Sequence, residues 1–180
     1  DYGLLSYDFN GKERWKRPLG PFNNIYGMGA SPMLVGDKVI LVCDQSSGSY
    51  IAAFEAGNGR EVWRKARPEA ISGHSTPVLY QAKGAAEPLI LAPGSLRMDA
   101  YSPKDGRTVW FVNALPGEMK SGPVLMGDTV FVSGFNTPQN DPGAQVKVPP
   151  FDEMIAKLDA DKNSLLSVAE IPDKETKDMF

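Results

Sequence analysis

The chain has 180 residues, 42% hydrophobic and 23% charged, with a formal net charge of −3. That is ordinary globular composition, long enough for one domain with or without a small appendage. The acidic balance without a Lys/Arg cluster argues against nucleic acid, no apolar run of about 18 residues offers a membrane span, and the single cysteine, Cys43, excludes an intramolecular disulfide or a multi-cysteine metal site.

In chain order, the first recognisable unit is a hairpin, Ser6-Tyr7-Asp8-Phe9-Asn10-Gly11-Lys12-Glu13-Arg14-Trp15. Asn-Gly readily takes the positive φ angles of a tight two-residue turn whose twist matches the flanking strands. A fuller version follows, Ala53-Phe54-Glu55-Ala56-Gly57-Asn58-Gly59-Arg60-Glu61-Val62-Trp63, and then a third, Ala100-Tyr101-Ser102-Pro103-Lys104-Asp105-Gly106-Arg107-Thr108-Val109-Trp110. The first copy lacks one residue before the turn. All three tryptophans of the chain end these hairpins, 48 and 47 residues apart.

A second motif keeps the same beat. Ala30-Ser31-Pro32-Met33-Leu34-Val35, Ser75-Thr76-Pro77-Val78-Leu79-Tyr80 and Ser121-Gly122-Pro123-Val124-Leu125-Met126 each open on small residues and proline and then turn apolar. Proline at a strand start costs no ladder hydrogen bond. Each is followed by another apolar strand, Lys38 to Val42, Leu89 to Leu91 and Thr129 to Val132. One period thus holds four short strands, the signature of a β-propeller blade. The expected fold class is all-β: a partial propeller of about three blade-equivalents, with a small helical segment at the C-terminal end. The phase predicts two complete blades, 30–64 and 75–111, between two half-blades, and hence a fragment of a longer ring.

Past Gly134 the composition changes. Residues 135–150 read as a Pro/Asn/Asp/Gly-rich linker between a propeller portion, 1–134, and a last segment, 151–180. Phe151, Met154, Ile155 and Leu158 fall at helical spacing. A helical restart is expected from Asp173 to Phe180, after Pro172.

The Ala-x-Asp-x-x-Thr-Gly-x-x-x-Trp pattern resembles the tryptophan-docking repeat of the quinoprotein, or PQQ-like, β-propellers. Here Glu55 and Ser102 stand in the Asp slot, and Asn58 and Asp105 in the Thr slot. The resemblance implies that each tryptophan packs on the neighbouring blade, so that Trp15, Trp63 and Trp110 are structural. It also implies a periplasmic or extracellular location. Two functional kinds share the repeat: PQQ- and calcium-dependent alcohol or sugar dehydrogenases, and non-catalytic scaffolds such as the outer-membrane assembly lipoprotein. The dehydrogenases' vicinal cysteine pair is absent and no acidic base can be placed, so no catalytic residue is assigned and PQQ has no residues here to support it. The expected role is a scaffold whose propeller face meets a protein partner or small ligand; a quinoprotein dehydrogenase fragment is the alternative.

The stretch with specific chemistry does not repeat. Residues 159–170 place Asp159, Asp161, Asn163, the Leu165 carbonyl, Ser167 and Glu170 at the first, third, fifth, seventh, ninth and twelfth positions of a twelve-residue loop. Ca²⁺ is a hard ion that takes six to eight oxygens, and this spacing folds them around one point. Leu158 and Ile171 flank the loop and Leu166 is its apolar middle residue. The stretch resembles an EF-hand, with one departure: Ser164 occupies the usual glycine position, where a left-handed backbone costs a non-glycine residue roughly 1–2 kcal/mol. The alternative reading is an acidic solvated turn.

The remaining candidates have plainer readings. Cys43, in an apolar strand, reads as a small buried hydrophobe. His74, the only histidine, reads as a polar loop residue, with a ligand role as alternative. Arg97 and Asp99 alternate about Met98 and suit an ion pair on one sheet face. Ser31, Ser75 and Ser121 recur in every repeat, which points to structure rather than to a nucleophile.

Overall fold

The structure is a computed structural model that describes residues 3–24, 26–134 and 150–172. Residues 135–149 of the expected linker 135–150 and the helical restart from Asp173 lie outside the described residues. The chain divides into two compact units, Asp1–Thr137 and Pro138–Phe180.

The first unit is a run of antiparallel meanders. Strands β1 (Gly3–Tyr7) and β2 (Glu13–Pro18) form a two-stranded sheet. A four-stranded sheet follows, in the order β3 (Met33–Val35), β4 (Lys38–Cys43), β5 (Tyr50–Glu55), β6 (Glu61–Ala66). The next repeats it with β7 (Val78–Tyr80), β8 (Leu89–Pro93), β9 (Arg97–Tyr101) and β10 (Thr108–Asn113). A two-stranded sheet, β11 (Val124–Met126) with β12 (Thr129–Phe131), comes last. This is a partial propeller, two full blades between two half-blades. Pro32, Pro77 and Pro123 each stand immediately before the first strand of a blade, where the missing N–H does no harm.

Strand alternation explains how the blades stack. In β4 and β5, Ile40, Val42, Ile51 and Ala53 point one way and join Trp63, Ile90, Ala92 and Tyr101 in a core between the second and third sheets. Leu41, Cys43, Ala52 and Phe54 point the other way and pack with Leu4 and Trp15 between the first and second. A third core unites Leu91, Met98 and Ala100 with Trp110, Val130 and Val132. A strand buried on both faces must be apolar at consecutive positions, which β4 and β5 are.

Each tryptophan hairpin carries the same irregularity. Trp15, Trp63 and Trp110 pair with Ser6, Ala53 and Ala100, while Glu13, Glu61 and Thr108 pair with Tyr7, Phe54 and Tyr101. Arg14, Val62 and Val109 are therefore left as bulge residues, and a bulge bends its strand and increases the local twist. Trp15 Nε1 donates to Ala56 O at 3.0 Å and Trp63 Nε1 to Pro103 O at 3.1 Å, each in the turn of the next hairpin. The indoles lie against Gly59 and Gly106, where a Cβ would stand 2.6 and 2.5 Å from Cε3 of Trp15 and Trp63.

Arg67, just past β6, adds a polar tie between the two full blades. It is 1% exposed. Its Nε and Nη2 donate to Asp44 Oδ1 and Oδ2 at 2.7 and 3.0 Å, and its Nη1 donates to Tyr101 Oη at 2.8 Å. Asp99 Oδ2 lies 3.6 Å from Nη1. Burial opposes the guanidinium charge, but Asp44 and its hydrogen bonds outweigh that and hold the pKa above its ordinary value.

Candidate metal centre

In the second unit, helix α1 (Phe151–Leu158) has Asp152 and Glu153 in its first turn and Lys157 in its last, charges that suit the helix dipole. Met154 is buried and Ile155 and Leu158 are half-buried, as the helical spacing of the apolar residues requires. Asp159 ends the helix, its N–H donating to Ile155 O at 3.2 Å. At the loop's far end Ser167 precedes a single 3₁₀ turn, Val168–Glu170. Ile171, next in line, is fully buried. The helix end thus fixes the first acid and the 3₁₀ turn the last.

Three of the six expected ligands converge. One oxygen each from Asp159, Asp161 and Glu170 lies within 4.8 Å of the others. Calcium–oxygen distances of 2.3–2.6 Å put ligands across the shell about 5 Å apart, so this span fits one such ion. The donors are all oxygen, which suits a hard cation and not zinc or copper. Loop donors hold the carboxylates in place. Asp159 accepts from Asn163 N and Ser164 N at 3.1 and 2.8 Å, and Asp161 from Asn163 N and Nδ2 at 3.2 and 2.8 Å. Glu170 accepts from Ala160 N, Ser167 N and Ser167 Oγ at 2.9, 2.9 and 2.8 Å. The Ser167 donors first, then Ala160, hold the Glu170 carboxyl below the usual range and keep it charged. A carboxylate has about four acceptor positions, so spare lone pairs remain for a cation.

Two of the other three, Asn163 and Ser167, hydrogen-bond within the loop itself. Asn163 Oδ1 accepts from Leu165 N at 2.8 Å, and Ser167 Oγ donates to Glu170 Oε2 at 2.8 Å, which leaves the hydroxyl's lone pairs available. The Leu165 side chain is exposed, and its expected contribution is a backbone carbonyl. Ser164 has φ 63° and Lys162 φ 58°, so the loop takes a left-handed turn at the usual glycine position and at a second residue that the sequence did not single out.

The other candidates resolve simply. Cys43 is fully buried, and burial pushes its thiol up to about 11. Arg97 pairs with Asp99, Nη2 to Oδ1 at 2.5 Å, and stacks over Phe111. His74 is half-buried, its N–H donating to Met119 O at 3.0 Å and its ring edge-on to Tyr26. Ser75 Oγ donates to Ser121 O, and Ser121 Oγ to Ser133 O. A groove of about 450 Å³ between the first two sheets is lined by Leu4, Leu5, Tyr7, Arg14, Trp15 and Met33 among others, with no carboxylate. Arg67 and Asp44 carry no signal in the sequence because they lie outside the repeated motifs, and Tyr101 none because in its repeat it reads only as an apolar strand residue, the place Phe54 fills in the copy before.

A family model described as outer membrane protein assembly factor BamB matches residues 2–149. The chain belongs to that family, as a PQQ-like repeat β-propeller. The crystal structure of BamB from Moraxella catarrhalis shares the fold at TM-score 0.56 and 18% identity, over 72% of this chain and 40% of that one. The chain therefore spans well under half of that BamB. Quinohemoprotein alcohol dehydrogenase ADHIIG from Pseudomonas putida HK5 aligns at TM-score 0.43 and 17% identity, over 60% of this chain and 23% of its own. No curated protein matches. Among the described residues no helix is long and apolar enough to cross a membrane.

Proposed function

We propose that this BamB-family chain is a calcium-binding segment of a non-catalytic binding or assembly scaffold, working in the periplasm or outside the cell. The propeller portion, 1–134, offers a recognition surface to a protein partner. The segment 151–180, joined by the linker 135–150, binds one Ca²⁺ in an EF-hand-like loop through Asp159, Asp161, Asn163, the Leu165 carbonyl, Ser167 and Glu170. The observation that carries the reading is the approach of three carboxylates, from the two ends of one loop, to within 4.8 Å. Like charges that close repel unless a cation lies among them, and the ion would in turn order the loop.

Membership of a family described as an assembly factor supports the scaffold role. Ser75, Ser121 and His74 are engaged with backbone or a neighbouring ring, which supports a structural part for them. Equilibrium dialysis of the protein against Ca²⁺, with PQQ added in a parallel cell, tests both halves. One bound Ca²⁺ per chain, an unchanged PQQ absorbance and no dye reduction with alcohols or sugars are expected. A PQQ spectral shift with dye reduction would replace the scaffold reading by the dehydrogenase one, and dialysis without bound Ca²⁺ would remove the metal site.

A further inference from the structure

Two of the three hairpin turns contain Asn-Gly, Asn10-Gly11 and Asn58-Gly59, and the structure treats them differently. The Asn58 amide is held at both ends: Nδ2 donates to Glu55 Oε2 at 2.7 Å and Oδ1 accepts from Arg60 N at 2.8 Å. Gly59 is buried beneath the Trp15 indole. The first turn is one residue shorter, and Asp8 takes over the capping. Its Oδ1 accepts from Asn10 N and Lys12 N, both at 2.9 Å. That leaves the Asn10 side-chain amide with no hydrogen bond among the described residues. Asn10 and Gly11 are both exposed, and a Cβ on Gly11 would meet nothing within 4 Å. The glycine N–H groups are engaged alike, Gly11 with Asp8 O at 3.0 Å and Gly59 with Glu55 O at 2.8 Å. The contrast therefore lies in the asparagine amide and in the packing over the glycine.

We infer that Asn10 is a site of spontaneous deamidation in the folded protein and that Asn58 is protected from it. The Gly11 backbone nitrogen loses its proton to solvent and bonds to Asn10 Cγ. The Cγ–Nδ2 bond breaks, ammonia leaves after taking up a proton, and a cyclic imide remains. Water opens the imide at either carbonyl and leaves aspartate or isoaspartate at position 10. The net change is asparagine plus water to an acidic residue plus ammonia, with no oxidation or reduction. At Asn58 the same swing of the side chain must break two hydrogen bonds and rotate a glycine wedged under an indole. The product at position 10 sets a second carboxylate beside Asp8, and the isoaspartate branch lengthens the backbone of the turn that closes β1 on β2.

Incubating the folded protein at mildly alkaline pH and mapping its peptides by mass spectrometry tests this. The Asn10 peptide gains the deamidation mass and becomes a substrate for isoaspartyl methyltransferase. The Asn58 peptide lags about tenfold or more, because it reacts only through local opening of its turn. In urea the two peptides deamidate at similar rates, and Glu55→Ala moves the Asn58 rate in the folded protein toward that of Asn10. Equal rates in the folded protein, a faster Asn58, or a difference that persists in urea overturns the assignment.

Discussion

An indole lying on a glycine is the smallest unit of this structure's stability, and it occurs twice among the described residues. Gly59 and Gly106 both have φ of 73° and both lack room for a methyl group. An alanine would add left-handed strain to a clash with the ring, so Gly59→Ala and Gly106→Ala should each cost about 2–4 kcal/mol in urea denaturation. Cys43 shows the opposite situation, a side chain sealed in. Its thiol should ignore a soluble disulfide reagent until the protein unfolds. Burial raises its pKa from an ordinary 9.0 to about 11, so over that window the unfolded chain releases a proton that the folded chain keeps. Stability should therefore be fully present below pH 9 and fall by about 2 kcal/mol as pH rises to 11, with Cys43→Ala lacking that part of the fall. The tryptophans were legible in the sequence because three copies repeat them. Their acceptors were not, because Ala56 O and Pro103 O are backbone carbonyls that any residue would supply.

Between elements, the Arg67 network ties the loop after β4 to β8 and β9. Removing one partner of a buried pair leaves the other charge unmet, so Arg67→Met should destabilise by about 3–5 kcal/mol and Asp44→Asn by a similar amount. The double variant should lose much less than the two losses added together, and a double-mutant cycle reads that coupling directly. Full additivity would mean that the groups do not act as one. This tie was invisible in the sequence: its members are 23 and 34 residues apart and occur once each. The proposed calcium loop could be sought in the sequence for the reverse reason, since its oxygen-bearing residues stand at a fixed local spacing. Ser164 at φ 63° sits in the turn where glycine is unstrained. Ser164→Gly should accordingly relieve roughly 1–2 kcal/mol of backbone strain already present in the loop, and the thermal midpoint of the second unit without added Ca²⁺ should rise.

At the scale of the molecule, repetition made the fold readable and its absence hid the ties specific to one interface. Four strands per period, prolines just before the first strand and a tryptophan within the last fix the blades and their phase, and the sheet orders follow that phase strand for strand. The site divides the same way. The sequence names six oxygens; the structure brings Asp159, Asp161 and Glu170 together and engages Asn163 with the Leu165 N–H and Ser167 with the Glu170 carboxylate, because short polar side chains bond to nearby groups of their own loop. Calcium bound there should raise the thermal midpoint of the second unit by mass action and leave the propeller's own transition in place. The central claim is that this loop holds Ca²⁺, and isothermal titration of the protein beside Asp159→Ala and Glu170→Gln tests it most directly. One Ca²⁺ per chain for the unaltered protein and heats at the dilution level for both variants are the predicted result; equal heats for all three proteins, or none for any, would contradict it.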